Sequence, residues 1–430
     1  MSSVLKNLPR AVEEKIVEVE TQLTDRPKLA QMFRQCYPNT LETTSELLDD
    51  GTSYVFTGDI PAMWLRDSTA QVRHYVPLAK GDADLQRIIE GLIRRQVMYV
   101  GIDPYANAFN REANGQCWAK DETESNPWVW ERKYEIDSLC YPLQLSYLYW
   151  QATGRTQVFD ASWKAMAESI LALWKVEQHH GENSPYSFQR TNCPASDTLT
   201  HAGRGTPVVH TGMTWSGFRP SDDACQYGYL LPANMFATVV LSYMAEIAQE
   251  VYGDAEWAQR AMALRAEIDA GIKEYGVYQH EKFGAIYAYE TDGAGQYNLM
   301  DDANVPSLLS VAYLGYVAAD DPLYQNTRRF VLSNSNPYYY EGKDARGIGS
   351  PHTPAGYIWP ISLCMQGLTS TDIEEMDALV DMLERTDAGT GFMHEGFNPN
   401  DPNQFTREWF AWANSLFGEF IVTWCEHRSS

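Results

Sequence analysis

The chain has 430 residues, of which 44% are hydrophobic, so it can bury a large core. Its formal net charge is −24 at pH 7. This charge argues against nucleic-acid partners, because binding to the phosphate backbone needs a basic surface. It also disfavours anionic membranes and acidic glycans. The 13 Trp and 26 Tyr suit a carbohydrate site, since aromatic rings stack on sugar C–H faces, although most of these rings are expected in the core.

The N-terminal residues lack the apolar segment of a secretory signal peptide. The sequence has no run of 18 apolar residues, so we predict no membrane-spanning helix. The seven cysteines are scattered, with no CxxC pair, which favours free thiols in a reducing compartment. We therefore predict a cytoplasmic protein without a membrane partner, and the sequence makes no prediction of its oligomeric state.

Apolar residues recur at helical spacing through most of the chain, which predicts about twelve helices. A proline or a glycine-containing turn ends most of them. A short strand at 54–56 also fits the pattern. The predicted helices span about residues 11–36 (with a kink or restart at Pro27), 67–76, 83–100, 135–153, 157–180, 228–250, 255–275, 305–314, 322–332, 358–368, 371–385 and 406–426.

The connectors between these helices alternate between long and short. Successive connectors lie at opposite ends when neighbouring helices are antiparallel, so all the long ones should meet at one end, and long loops in a compact domain are usually functional. We therefore predict an all-α fold, an (α/α)6 barrel that forms a single domain over 1–430, with its active site on the loop face. The six long connectors are 39–66, 101–134, 181–227, 276–304, 333–357 and 386–405.

Two loop motifs bring carboxylates to this face. The segment 217–233 contains adjacent aspartates, Asp222 and Asp223, with Trp215 and Arg219 close by, and the segment 389–402 has Glu395 at its centre. An aspartate ahead of a helix is most simply an N-cap. Two carboxylates in separate loops, however, are what hydrolysis of a glycosidic bond requires.

Further polar and aromatic residues on the predicted loop face are candidate sugar ligands. Arginine presents a fork of donors and aspartate accepts hydrogen bonds from hydroxyl groups. Several of them also have a structural interpretation, since Asp67 could cap a helix and a lone histidine is usually a satisfied core group. These candidates are Asp59, Met63, Trp64, Arg66, Asp67, Asn304, His352 and His394.

The sequence lacks the motifs of nucleotide-binding, metal-dependent and serine-nucleophile sites. It has neither the GxGxxG nor the GxxxxGK[ST] pattern of nucleotide-binding loops. HExxH and closely spaced His/Cys clusters are also missing, so no metal is predicted. The GxSxG motif and the EF-hand loop are missing as well. We therefore predict no cofactor.

Three motifs together resemble glycoside hydrolase family 125. They are GDIPAMWLRDSTAQ at 58–71, WSGFRPSDDA at 215–224 and FMHEGFNPNDP at 392–402, and the resemblance extends over nearly the whole chain. It implies a metal-independent, exo-acting α-mannosidase on an (α/α)6 barrel. The expected substrate is an oligosaccharide with a non-reducing terminal α-1,6-linked mannose, cleaved with inversion.

The resemblance also assigns the catalytic roles. Asp222 matches the family's general acid and Glu395 its general base. The choice of Asp222 over Asp223 rests on this resemblance, because periodicity does not separate neighbours. Trp64, Arg66, Asp67, Asn304 and His352 are then the candidate ligands of the terminal mannose.

Two other functions remain open on the sequence alone. The first is an exo-glycosidase of another sugar specificity on the same barrel, since functions are grafted onto folds. The second is a non-catalytic glycan-binding protein, which would not need a carboxylate pair. A polysaccharide lyase fits less well, because the acidic balance of the chain opposes binding of uronic acids.

Overall fold

The structure is a computed structural model that describes residues 3–4, 7–123 and 126–429. It is mostly helical, as predicted, and the longest helices have 20 and 21 residues. Its helices in chain order are α1 Arg10–Gln22, α2 Pro27–Cys36, α3 Asn39–Thr43, α4 Leu65–Ala70, α5 Ala83–Ile102, α6 Ile136–Thr153, α7 Ala161–Glu177, α8 His180–Asn183, α9 Thr200–Gly203, α10 Leu231–Glu250, α11 Ala255–Tyr275, α12 Pro322–Val331, α13 Pro360–Leu368, α14 Ile373–Arg385 and α15 Ala411–Ser429.

Short strands of two to six residues lie mainly in the connectors. They form small antiparallel sheets in the orders β1-β2-β3, β4-β5-β6, β11-β10-β7, β8-β9, β12-β13 and β14-β15. The strands are β1 Ser3–Val4, β2 Ser45–Leu47, β3 Ser53–Val55, β4 Met63–Trp64, β5 Ala108–Phe109, β6 Val129–Glu131, β7 Tyr229–Leu230, β8 Val277–His280, β9 Gly284–Tyr287, β10 Glu290–Thr291, β11 Tyr297–Asn298, β12 Tyr339–Glu341, β13 Arg346–Ile348, β14 Gly396–Asn398 and β15 Asp401–Thr406.

Aspartates begin several of the long helices. The Asp82 carboxylate accepts hydrogen bonds from the backbone N–H groups of Asp84 and Leu85 at the start of α5. Asp160 and Asp254 cap α7 and α11 in the same way. These bonds satisfy N–H groups that a helix leaves unpaired at its first turn. Neighbours in sequence then pack together, notably α10 with α11 and α13 with α14.

Helix α10 is apolar on nearly every side and lies in the core. Among the described helices it is the one long and apolar enough to span a membrane, but 83% of its apolar window is buried inside the protein. A helix with apolar residues all round is expected in the middle of a large core. The surrounding core cluster includes residues from Val12 near the N-terminus to Trp424 near the C-terminus.

The prediction of a helix at 305–314 is wrong. The structure has only a 3-10 turn there, Leu309–Val311. The Asp301 carboxylate accepts hydrogen bonds from the N–H groups of Leu308 and Leu309, and Ser307 and Ser310 bond each other's backbone N–H groups. Such local side-chain bonds compete with the helical ladder.

Two other predicted helices differ from the structure by five or six residues at one end. The helix predicted at 406–426 begins at Ala411, because strand β15 occupies the preceding residues and pairs with β14. The helix predicted at 67–76 begins earlier, at Leu65, and gives way to a 3-10 helix at Arg73–Gly81 that contains Pro77. Pro27 divides the first predicted helix into α1 and α2, as a restart at that residue requires.

Candidate active site

Residues from the long connectors surround one cavity of about 400 Å³. Five of the six long connectors contribute lining residues, and the sixth reaches the site through Asn107. The lining residues are Thr57, Ile60, Trp64, Arg66, Asp67, Pro220, Ser221, Asp222, Asn304, His352, Trp359, Glu395, Arg407, Phe410 and Trp412.

Asp222 lies in a tight turn, away from the start of α10. Its backbone N–H donates to the Arg219 carbonyl at 2.9 Å, and the two sides of the turn pair through Phe218 and Ala224. Helix α10 begins eight residues after Asp223, at Leu231, without a side-chain cap. The N-cap interpretation of these aspartates therefore does not apply.

The Asp222 carboxylate faces the cavity and is held by donors from three elements. Its Oδ1 accepts from the Trp64 indole at 3.3 Å and from Arg66 Nη2 at 3.0 Å. The Asn107 amide donates to the same oxygen at 3.2 Å. Below it, Lys133 Nζ donates to the Asp222 backbone carbonyl at 2.7 Å. These contacts fix both the side chain and the turn that carries it.

Four carboxylates surround the buried guanidinium of Arg66. Its Nη1 lies 2.5 Å from Glu135 and 3.3 Å from Asp137, and its Nη2 lies 3.0 Å from Asp222. The fourth, Asp67, lies 3.5 Å from Nε. Because one cation cannot neutralise four carboxylates packed around it, at least one of them is expected to keep a proton.

The pKa values of the carboxyl groups around Arg66 are shifted in opposite directions. Burial raises the pKa of Glu135 well above its ordinary value, and the charges of Asp222 and Asp137 add to this effect. Burial also raises the pKa values of Asp67 and Asp137, each to about 6. For Asp222, burial acts in the same direction and is the largest single effect, but the Arg66 guanidinium, Glu135, Lys133 and His352 together outweigh it, so the pKa lies below its ordinary value.

Glu395 enters the cavity from the base of the β14–β15 hairpin. Its backbone N–H donates to the Thr406 carbonyl at 3.3 Å. Its Oε1 lies 3.2 Å from Arg407 Nε, and the same arginine reaches Asp59 at 3.0 Å. Arg407 therefore links the proposed base to the rim of the cavity.

His352 lies near both carboxylates of the site. Its Nδ1 is 3.2 Å from Asp223 Oδ1. Burial lowers its pKa, but the hydrogen bond with Asp223 and the charges of Asp222 and Glu395 raise it to about 9. His352 is therefore an imidazolium at neutral pH, and it stabilises negative charge on the acids around it.

Seven of the predicted site residues line the cavity, and six others do not. Met63 and Trp215 are in the core, where Trp215 stacks on His180 at 3.5 Å between ring centroids. Arg219 is ion-paired with Glu290 at 2.6 Å, which ties the Asp222 turn to β10. His394 and Asp223 support their neighbours through Arg407 and His352, and Asp59 lies at the exposed rim. The predicted site residues that line the cavity are Trp64, Arg66, Asp67, Asp222, Asn304, His352 and Glu395.

The sequence analysis missed several residues of the site. Asn107, Lys133, Glu135 and Asp137 come from the second long connector and the start of α6. The signal for Glu135 and Asp137 was visible, because acids before a long apolar helix are the same pattern that singled out Asp222. Three further lining residues that follow the third motif in the chain were also missed, namely Arg407, Phe410 and Trp412.

Within the described residues, no group of three or more His, Cys, Asp or Glu side chains is arranged to hold a metal ion. The carboxylates that gather in the site surround the Arg66 guanidinium instead.

A concave site with carboxylates on separate loops, flanked by an arginine and indole rings, is typical of glycoside hydrolases. The family model of metal-independent α-mannosidases, glycoside hydrolase family 125, matches residues 26–422. The chain therefore belongs to this family, and the resemblance of its three motifs is confirmed. It is an α-mannosidase of the metal-independent class.

Relatives at two levels of similarity support this membership. An α-mannosidase from Streptococcus pneumoniae, solved in a non-productive complex with α-1,6-mannobiose, is 50% identical, with a TM-score of 0.94 over 97% of this chain and 98% of that one. The meiotically up-regulated gene 157 protein of Schizosaccharomyces pombe is 41% identical over 97% of this chain and 86% of its own length. A bacterial glucoamylase in complex with acarbose, 15% identical with a TM-score of 0.58 over 90% of this chain and 52% of that one, shares the fold alone.

Proposed function

We propose that this protein is an exo-acting, inverting α-mannosidase that removes non-reducing terminal α-1,6-linked mannose. The observation that carries this proposal is that Asp222 and Glu395, from connectors far apart in sequence, line one small cavity. The relative in complex with α-1,6-mannobiose supports the linkage. We also propose that the helices form an (α/α)6 barrel in a single domain, with the long connectors at one end.

In the proposed mechanism, Asp222 is the general acid and Glu395 is the general base. Asp222 donates a proton to the glycosidic oxygen while Glu395 removes one from a water on the opposite face of the sugar. The water attacks C1 through an oxocarbenium-like transition state. Inversion of this kind needs the two carboxyl groups roughly 6.5–9.5 Å apart, so that a water fits between them.

The other lining residues have binding roles in this proposal. Arg66, Asp67 and Asn304 offer hydrogen-bond partners to sugar hydroxyl groups. Trp64 and Trp412 offer apolar ring faces, and the Arg66 guanidinium lies over Trp412 at 6.0 Å from the ring centroid. Exo action is part of the proposal because the three motifs resemble those of an exo-acting family.

The roles of the two acids are tested by Asp222→Asn and Glu395→Gln, assayed with α-1,6-mannobiose. Each change removes a proton-transfer group, and general acid–base catalysis contributes about 10²–10⁴-fold. We expect kcat to fall by at least about 100-fold in each variant, with the thermal unfolding midpoint close to wild type. Either variant retaining most of its activity would refute that residue's assignment. The surface variant Lys273→Gln, on the exposed side of α11, is the control for handling.

A further inference from the structure

The buried carboxyl group of Glu135 lies against the proposed general acid and shares its donors. The Arg66 guanidinium reaches Glu135 Oε2 through Nη1 at 2.5 Å and Asp222 Oδ1 through Nη2 at 3.0 Å. The Asn107 amide nitrogen lies 3.4 Å from Glu135 Oε1 and 3.2 Å from Asp222 Oδ1. The two carboxyl groups are therefore held by the same two donors, and two ionised carboxylates placed in this way would repel each other.

The charges that face this pair require a retained proton. Arg66 is shared among four carboxylates. Of the other nearby cations, Lys133 is already engaged by Asp197 and lies 3.5 Å from Glu131, and the imidazolium of His352 pairs with Asp223. A buried group of acids with too few cations titrates as a unit and holds protons in common. The titratable and charged groups around the pair are Arg66, Asp67, Glu131, Lys133, Asp137, Arg190, Asp197 and His352.

The surroundings of Glu135 favour its neutral form over that of Asp222. The Glu135 side chain is completely buried, whereas 21% of the Asp222 side chain is exposed to the cavity. Glu135 Oε2 accepts from Arg66 and from Ser138 Oγ at 2.7 Å, whereas Oε1 accepts a longer bond from the Asn107 amide at 3.4 Å, so we assign the proton to Oε1. The opposite pKa shifts of the two groups agree with this placement. In the unliganded protein the shared proton therefore rests on Glu135.

We propose that Glu135 is a positioning residue that stores the proton which Asp222 delivers to the leaving oxygen. This inference rests on the proposed function. A proton passes from Glu135 Oε1 to the Asp222 carboxylate, and from Asp222 to the glycosidic oxygen. The C1–O bond breaks and its electron pair stays on that oxygen, while Glu395 takes the proton of the attacking water. Glu395 then releases one proton to solvent and the Glu135–Asp222 pair takes one up.

The test compares Glu135→Gln with wild type on two substrates. α-1,6-Mannobiose needs a protonated leaving group, whereas 2,4-dinitrophenyl α-mannoside does not. We expect kcat on mannobiose to fall about 100-fold and kcat on the aryl mannoside to stay within about threefold, because only proton delivery is lost. Far-UV circular dichroism and the melting temperature show whether the variant folds.

The pH dependence of mannobiose hydrolysis is a second readout. In wild type, the second carboxyl group helps the pair to keep its proton as pH rises. In Glu135→Gln, Asp222 alone faces the Arg66 guanidinium and loses its proton at lower pH. We expect the alkaline limb of the kcat profile to move to lower pH by about one unit. A merely structural role for Glu135 would lower kcat without moving this limb.

A matched control is Asp137→Asn, because Asp137 pairs with the same Arg66 nitrogen at 3.3 Å. It removes a buried carboxylate but leaves Glu135, which shares the donors Arg66 and Asn107 with Asp222, so we expect the wild-type ratio of the two activities. Glu135→Asp keeps a carboxyl group and should recover part of the mannobiose activity. It also serves as the test variant if Glu135→Gln does not fold.

Asp222→Asn separates failure of this inference from failure of the proposed function. If Asp222→Asn loses mannobiose activity selectively and Glu135→Gln loses both activities equally, or neither, the role of Glu135 is overturned and the general acid stands. If Asp222→Asn shows no selectivity for the leaving group, the proposed function itself fails. Selective loss in both variants supports the proton store.

Discussion

Asp222 and Arg407 both have left-handed backbone conformations, with φ of 66° and 54°. Residues other than glycine adopt this region rarely, at a cost of roughly 1–3 kcal/mol where the surroundings enforce it. At Asp222 the enforcing contacts are those of Lys133 with its carbonyl and of Arg66 with its carboxylate. Backbone strain therefore coincides with the proposed acid itself and with the arginine that contacts the proposed base.

The stability contributed by His352 should depend on pH. Its pKa is about 9 in the folded protein, above the unfolded value of about 6.5. The stabilisation by its imidazolium is therefore complete below about pH 6.5 and is lost as pH rises through about 9. We expect the difference in melting temperature between wild type and His352→Gln to shrink between pH 6 and pH 10.

The same measurement on Asp223→Asn provides a comparison. This variant keeps the imidazole but removes the hydrogen-bond partner of His352 Nδ1. Its melting temperature should also approach that of wild type as pH rises. A difference that stays constant over the range for both variants would show that His352 is not an imidazolium in the folded protein.

Single residues of the site were only partly predictable from sequence. Asp222 and Glu395 stood out because acids in loops rich in Gly, Pro and aromatic residues have few structural roles. Trp215 and Arg219 flank the same motif, but sequence proximity does not tell which side of a turn faces the cavity. Arg219 instead forms a buried ion pair, and Trp215 fills the core.

Between the turn that carries Asp222 and the start of α10, Gly228 packs closely against the Trp215 indole ring. A Cβ atom at Gly228 would lie 2.0 Å from Trp215 Nε1 and 2.1 Å from its Cδ1. Trp215 is 1% exposed and packed on His180, so it has little room to move. The absence of a side chain at this position therefore allows the connector to cross the indole ring.

We predict that Gly228→Ala destabilises the protein by about 1–3 kcal/mol, the usual cost of overpacking a core. Urea unfolding followed by fluorescence measures this change. The matched control is Gly81→Ala, where nothing lies within 4 Å of the new Cβ, and the expected change is within about 0.5 kcal/mol. Equal effects of the two substitutions would contradict the proposed packing role of Gly228.

Elements were predicted well where apolar periodicity is long and poorly where side chains bond to the backbone. Helices α10 and α11 match their predicted ranges to within three residues. The error at 305–314 arises because Asp301 binds the N–H groups of Leu308 and Leu309 across seven and eight residues. Periodicity does not reveal such bonds, since they depend on where a connector returns in space.

At the scale of the whole molecule, the alternation of long and short connectors carried the most information. It predicted that the long connectors would share one end, and residues from all six meet at the cavity or at Asp222. The strand predicted at 54–56 is confirmed as β3, Ser53–Val55. The other short strands within these connectors escaped prediction because each has only two to six residues. The single-domain (α/α)6 arrangement and the cytoplasmic location stay predictions.

The central claim is that one acid and one base act from opposite faces of a single mannose. The most direct test is proton NMR of the mannose first released from α-1,6-mannobiose, recorded before mutarotation equilibrates the anomers. Direct attack by a water held at Glu395 predicts that the first product is β-mannose. Early accumulation of α-mannose would mean retention of configuration, and it would contradict the account.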